Sequence, residues 1–207
     1  RLSLVGSEMC IRDRNTALSR MSAIGAISLT IPGPKMIWHF SDLGMENSLF
    51  TCYDGSVNEP DCKLDTKPQP QWVDNWLGND NRREIYDNWS RIIELKINED
   101  VFEGNYSITS GGLTPIVYIW DDNIASSDLK NIVVVANFDV VDQSITPYFP
   151  YTGTWYDLMD EDGETSVNIS STSDQITLQP GEFKIYGNQA STTLSTIDNE
   201  ISKLMMY

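Results

Sequence analysis

One histidine, three cysteines and 14 basic residues are all that this 207-residue chain has of each, and each shortage excludes something. Against 30 acidic residues, the 14 Lys and Arg leave a net charge of −16 at pH 7. That excludes nucleic acid as a partner, because a polyanion is held by cations that displace its counterions. It disfavours an anionic membrane surface for the same reason. No apolar run approaches the ~18 residues that a membrane-spanning helix needs, so no membrane span is expected. There is no CxxC pair, and His39 stands alone, so a zinc-type ligand set is not expected. Neither a metal nor a cofactor is expected within this chain. Neither an initial Met nor a secretory leader is recognised, and a missing N-terminus is therefore expected.

What is present describes an ordinary soluble protein. The chain is 40% hydrophobic and 21% charged, with a mean hydropathy of −0.30, and is long enough for a sizeable core. Six Trp and nine Tyr are a generous aromatic supply, compatible with sugar binding or with a buried core. A monomer is expected.

Residues 1–14, RLSLVGSEMCIRDR, do not read like the start of a domain. They resemble a translated sequencing-adapter string and are set aside as a scar. Cys10 goes with them, which leaves Cys52 and Cys62 flanking a loop that contains Gly55, Asn58 and Pro60. A disulfide between the two would stabilise the chain by ~2–4 kcal/mol; the alternative is two unpaired thiols. A disulfide combined with strong acidity favours an extracytoplasmic location, secreted or at the cell surface.

Asn15 is placed to cap a helix to about Ser28, with Leu18, Met21, Ile24 and Gly25 on one stripe. Its small residues (Ala17, Ala23, Gly25 and Ala26) suit close packing on a sheet. Pro32, Gly33 and Pro34 end it, and the run MIWHF (36–40) then reads as a parallel strand buried on both faces. Residues 41–80 form a long turn-rich stretch. A second helix is expected over about 81–98 on the period of Ile85, Trp89, Ile92, Ile93 and Leu95, with Arg83 and Asp87 as an i,i+4 pair. Beyond Gly104, seven short runs separated by turn residues (NYSIT, IVYIW, IVVVANF, GTWYDL, SVNI, QITL and EFKIY) read as an antiparallel all-β module. Its core is expected from Val133, Val135 and Phe138 against Trp155, Ile176, Leu178, Phe183 and Ile185. Residues 188–207 are Ser/Thr-rich and read as a linker.

The segment from Ile31 to Gly44, IPGPKMIWHFSDLG, resembles the last barrel strand of the α-amylase family of glycoside hydrolases. In that pattern Gly33 matches the second Gly, Asp42 the acid and Gly44 the last Gly. Lys35 stands where the family usually has Pro, and Phe40 where it has Gly. The segment from Asp65 to Trp72, DTKPQPQW, is similar to the K-P-x-x-W phrase of a bacterial subgroup. Thr152–Leu158 and Leu178–Phe183 resemble phrases of the family's C-terminal β-sandwich. The closing LSTIDNEISKLMMY resembles the lead-in to a secretion-sorting domain.

The resemblance implies an α/β remnant, the last helix–strand–helix of a TIM barrel, followed by an all-β antiparallel sandwich. The implied divisions are 15–98 for the end of a (β/α)8 barrel, 99–187 for the sandwich and 188–207 for a linker to a sorting domain. It implies an enzyme that cleaves α-1,4-glucans with retention through two carboxylates. Those carboxylates would lie upstream of Asn15, so no catalytic residue is assigned and the piece alone is expected to be inactive. Calcium would belong to the rest of the enzyme. Trp38, His39, Phe40 and Asp42 would face the substrate cleft, Trp38 stacking on a sugar and Asp42 orienting a neighbour. Alternatively, Trp38 is core and Asp42 a loop cap. The acidic turn Asp160–Glu164 admits a calcium reading, but lacks EF-hand spacing and suits a solvated hairpin tip. A glucanotransferase or branching enzyme of the same fold, and a non-catalytic carbohydrate-binding β-sandwich, stand as the other readings.

Overall fold

The computed structural model describes residues 2–38, 40–46, 51–52, 56 and 70–191, with side chains from residue 14 onward. Three α-helices, α1 (Leu2–Thr30), α2 (Pro70–Val73) and α3 (Asp80–Asn98), precede eight strands. These are β1 (Asn105–Thr109), β2 (Ile116–Trp120), β3 (Asn131–Ala136), β4 (Gln143–Ile145), β5 (Gly153–Asp157), β6 (Ser166–Ile169), β7 (Ile176–Leu178) and β8 (Phe183–Gly187). Every strand pairing among the described residues is antiparallel. Six strands form one sheet in the order β1-β2-β3-β8-β5-β6, and β4 and β7 form a separate ribbon.

The helices form for the reasons their sequences suggest. Along α3, Ile85, Trp89, Ile92 and Leu95 recur at three- and four-residue steps and are all buried. Asn79 caps its start, its side chain accepting from Arg82 N at 3.2 Å. Leu18, Ala26 and Leu29 of α1 pack against that stripe. Gly25 brings the two helices together: a Cβ there would lie 2.1 Å from Trp89 Nε1. The Trp89 indole donates instead to Met21 O at 2.9 Å. The helix ends before Pro32-Gly33-Pro34 as expected, and Lys96 Nζ donates to Ile31 O just beyond it, at 2.6 Å.

The helix pair and Phe102 cover one face of the large sheet, where Val117, Ile119, Ile132, Val134 and Ile185 complete a single core. On the opposite face the β4–β7 ribbon encloses a second core around Val133, Val135, Phe149, Trp155, Ile169 and Leu178. The central strand β3 is therefore buried along its whole length, which its run of β-branched residues suits.

Several expectations are corrected. Asn15 does not cap α1, which begins at Leu2 and runs through that position. Residues 34–38 form no strand, so the helix–strand–helix barrel remnant is not seen. A parallel strand needs neighbours for its backbone groups, and none lies beside it among the described residues; Met36, Ile37 and Trp38 are exposed. Of the residues expected in the core of the β-module, Phe183 and Ile185 face the helix-side core rather than the ribbon. The strand β4 was not foreseen. Arg83 donates to Leu77 O at 3.1 Å rather than pairing with Asp87. An Arg four residues before an acid is the weaker orientation of such a pair. At the other end, the chain stays anchored through Ser191, whose hydroxyl bonds to Glu99 Oε1. Asn188 accepts from Lys130 N and Asn131 N and donates to Asp128 O. The rest of the expected linker, 192–207, lies outside the described residues.

Candidate functional site

The segment that follows α1 carries the expected cleft residues, and its local conformation is tightly specified. Ser41–Leu43 is one 3-10 turn, with Phe40 (φ 58°) before it and Gly44 (φ 65°) after it, both left-handed. Ser41 N donates to Trp38 O at 2.8 Å, and Met45 N to Phe40 O at 3.1 Å. A left-handed non-glycine costs of the order of 1–2 kcal/mol. Phe40 therefore carries backbone strain that a glycine in its place would not. Gly44 cannot be replaced so easily: a Cβ there would meet Leu18 Cδ2 of α1 at 2.4 Å. The turn is wedged between α1 and α3.

Arg82 holds it there. Its buried guanidinium donates to Leu43 O at 2.7 Å, Gly44 O at 2.6 Å and Glu46 Oε1 at 2.9 Å. It also lies 3.8 Å from the centroid of the Trp76 ring. Burial pulls its pKa below the ordinary value and the nearby Glu46 carboxylate opposes that shift. Sequence reasoning passed over this residue. The available signal was its position, because a cation in the first turn of a helix opposes the macrodipole and so needs a tertiary reason to be there.

Of the expected cleft residues, Trp38 is 55% exposed and Asp42 half-buried in the turn. The core alternative for Trp38 does not hold. His39 lies outside the described residues. Phe40 meets Trp72 of α2 edge-on, with ring centroids 5.7 Å apart and planes at 86°. Trp72 is itself 62% exposed. The turn thus gathers open aromatic surface beside one carboxylate, chemistry suited to holding a sugar ring but not by itself to cleaving one.

Cys52 is 5% exposed and is not a free thiol, and its backbone N donates to Ser56 O at 2.8 Å. Its expected partner Cys62 lies outside the described residues. The acidic hairpin tip is organised by Asp160, whose carboxylate accepts from the backbone N of Asp162, Glu164 and Thr165. The bonds to Thr165, then those to Asp162 and Glu164, hold its pKa below the ordinary value. Among the described residues no three His, Cys, Asp or Glu gather as a metal group, and no helix is long and apolar enough to cross a membrane.

No protein-family model matches the chain, and no curated protein is significantly similar. Solved structures do share its fold. AmyP in complex with maltose is similar over 84% of this chain and 35% of its own, with TM-score 0.61 and 16% identity. A pullulanase from Bacillus acidopullulyticus is similar over 82% of this chain and 20% of its own, with TM-score 0.56 and 16% identity. A type I pullulanase from Bacillus subtilis, complexed with maltose, is similar over 85% of this chain and 24% of its own, with TM-score 0.55 and 15% identity. The chain therefore spans about a third or less of the proteins whose fold it shares.

Proposed function

We propose that this chain is the C-terminal portion of a secreted or cell-surface glycoside hydrolase that acts on α-glucans by a retaining, two-carboxylate mechanism. The observation that carries the reading is the fold likeness to AmyP over 84% of the chain, in a structure that holds maltose. The order of the resembled phrases along the chain supports it, as does the positive φ at Phe40, where the family pattern has Gly.

In this reading the reacting carboxylates belong to the preceding part of the enzyme, one as nucleophile and one as general acid and base. This chain supplies the rim of the cleft. Trp38, with Trp72 and Phe40 close by, offers apolar faces to the sugar, and Asp42 orients a neighbouring group. Arg82 acts as a positioning residue by holding the turn that carries them. A bridge between Cys52 and Cys62 closes the loop between them, which an oxidising extracytoplasmic compartment allows.

The test is enzymatic and genetic together. The gene extended upstream of Asn15 is expected to encode the rest of a barrel, and its product to hydrolyse starch or pullulan. The 207-residue chain alone is expected to hydrolyse neither. An unrelated domain directly upstream, or α-glucan hydrolysis by this chain alone, would sink the reading.

A further inference from the structure

Asparagine, then any residue but proline, then serine or threonine is the acceptor pattern for N-linked oligosaccharide transfer. It occurs three times in the chain, as Asn88-Trp89-Ser90, Asn105-Tyr106-Ser107 and Asn168-Ile169-Ser170. Transfer needs a side-chain amide free to react and a hydroxyl, two residues on, free to be held by the transferase. It also needs backbone that the enzyme can reach. The fold separates the three on these grounds.

Asn88 lies within α3, its Nδ2 donates to Ser22 Oγ at 3.1 Å, and Trp89 beside it is buried. On β6, Ile169 is buried in the second core, and Ser170 Oγ donates to Asp174 Oδ2 at 2.9 Å. Asn105-Tyr106-Ser107 differs in each respect. It lies on β1, which ends the sheet, pairs only with β2 and is exposed at all five residues. Asn105 and Ser107, two residues apart, share one face of the strand. Neither side chain is hydrogen-bonded among the described residues.

Two further features single out this site. Glu103, two residues before Asn105, is exposed, whereas Tyr86 and Ser166 hold that place in the other two. A carboxylate there is a handle that an arginine in an acceptor groove can grip. The strand also lacks the usual protection of an edge. NYSIT has no charge and no proline, and its register against β2 runs through five pairs without a bulge. A bulky hydrated glycan would cover that open edge.

We propose that Asn105 is an acceptor for an N-linked oligosaccharide. Its Nδ2 attacks the anomeric carbon of a lipid-diphosphate-linked oligosaccharide. The N–C bond forms as the C–O bond to the diphosphate breaks. The lipid diphosphate leaves with the electron pair, and the amide proton passes to a base of the transferase. Modification in the cell rests on the extracytoplasmic location proposed above, because such donors are presented on that side.

The experiment mixes the purified, folded full chain with a lipid-linked heptasaccharide and an oligosaccharyltransferase of the acid-reading bacterial type, followed by intact mass. A single glycan per chain is expected. It is absent from Asn105→Gln and Ser107→Ala, restored by Ser107→Thr, and unchanged in Ser90→Ala and Asn168→Gln. Glu103→Gln is expected to slow transfer by about tenfold, the loss of one charge-assisted contact. Each of these changes an exposed side chain, and thermal melts establish that each variant is folded. Transfer to a free peptide of residues 101–111 but not to the folded chain, or to neither, overturns the proposal. Transfer that survives Asn105→Gln does so as well. Cell fractionation tests the location separately: a chain confined to the cytoplasm overturns the secreted reading and leaves the acceptor result standing.

Discussion

At the level of single residues, the structure depends on groups whose side chains each satisfy several neighbours. Arg82 is the clearest. A Lys in its place keeps the charge, but loses the planar fork that reaches two carbonyls and a carboxylate, and the flat face on Trp76. Arg82→Lys is expected to cost ~2–4 kcal/mol, most of it from the buried carbonyls left without donors, since Glu46 is itself half-exposed and screened. Urea denaturation measures the cost. Amide exchange at Gly44 and Met45 reports whether the turn loosens, and protection unchanged from wild type would remove Arg82 from the positioning role. Tyr186 gives a pH dependence with a definite sign. Its phenol is pushed up to about 12, chiefly by burial and then by the nearby carboxylates of Asp157 and Glu182. The folded state therefore holds this proton more tightly than the unfolded chain, whose phenol titrates near 10. The resulting stability is fully present below about pH 10 and is lost as pH rises from there towards about 12, amounting to ~2–3 kcal/mol. Tyr186→Phe should flatten that alkaline limb in denaturation midpoints taken across the range; a limb of unchanged steepness would mean that another group causes it.

Between elements, the sequence was most legible where periodicity is local and least legible where the decision depends on a partner. The helix α3 lies within a residue of its expected bounds because its apolar stripe and Asn79 cap are contained in the element. The runs NYSIT, IVYIW and SVNI match β1, β2 and β6 for the same reason, since turn residues bracket them. The run MIWHF misled because continuous hydrophobicity marks a buried strand only when flanking strands exist to bury it. Which face of the large sheet meets the helices was also illegible, because β3 is apolar on both sides and its alternation carries no direction. For the candidate site, the aromatic residues were legible from composition and resemblance, whereas Arg82 acts across some forty residues of chain that no local pattern spans. The docking of α1 on the Pro180-Gly181 turn is a second contact of this kind. Gly181 has φ 78°, and a Cβ there would come within 2.7 Å of Ser19 Oγ. Gly181→Ala is expected to destabilise by ~1–3 kcal/mol through both strain and the clash, and the Ser19→Gly background should recover only the part owed to the clash. Full recovery would show that backbone strain contributes nothing.

For the molecule as a whole, the core shared by helices and sheet decides how the chain behaves when separated from a larger protein. The boundary expected at residues 98 and 99 runs through one continuous core, in which Ile85, Trp89 and Ile92 meet Val117, Ile132 and Ile185. Burying each such side chain contributes ~1.5–3 kcal/mol, so stripping α1 and α3 from the sheet would expose most of one face of it. The described region is therefore expected to unfold in a single cooperative transition, with no stable proteolytic fragment starting near residue 99. What the chain leaves open lies on the other side of the helix pair. Leu29, Ile37, Ile93 and Ile97 line a groove of about 700 Å³ with Gly33, Pro34, Lys35, Lys96 and Glu103 at its borders. Met36 and Val73 are also exposed. Apolar surface of this extent calls for a cover, and in the proposed enzyme the preceding barrel elements supply it. Alone, the chain is kept apart from its copies chiefly by its net charge of −16, a repulsion that salt screens within ~8 Å at physiological ionic strength. Light scattering of the chain should accordingly show monomers at low salt and growing association as salt is added. Ile97→Asp, which puts a charge into the groove without touching the shared core, should suppress that association. Association that is strongest at low salt, or that Ile97→Asp leaves unchanged, would place the sticky surface elsewhere and remove the groove as the face where the rest of the enzyme sits.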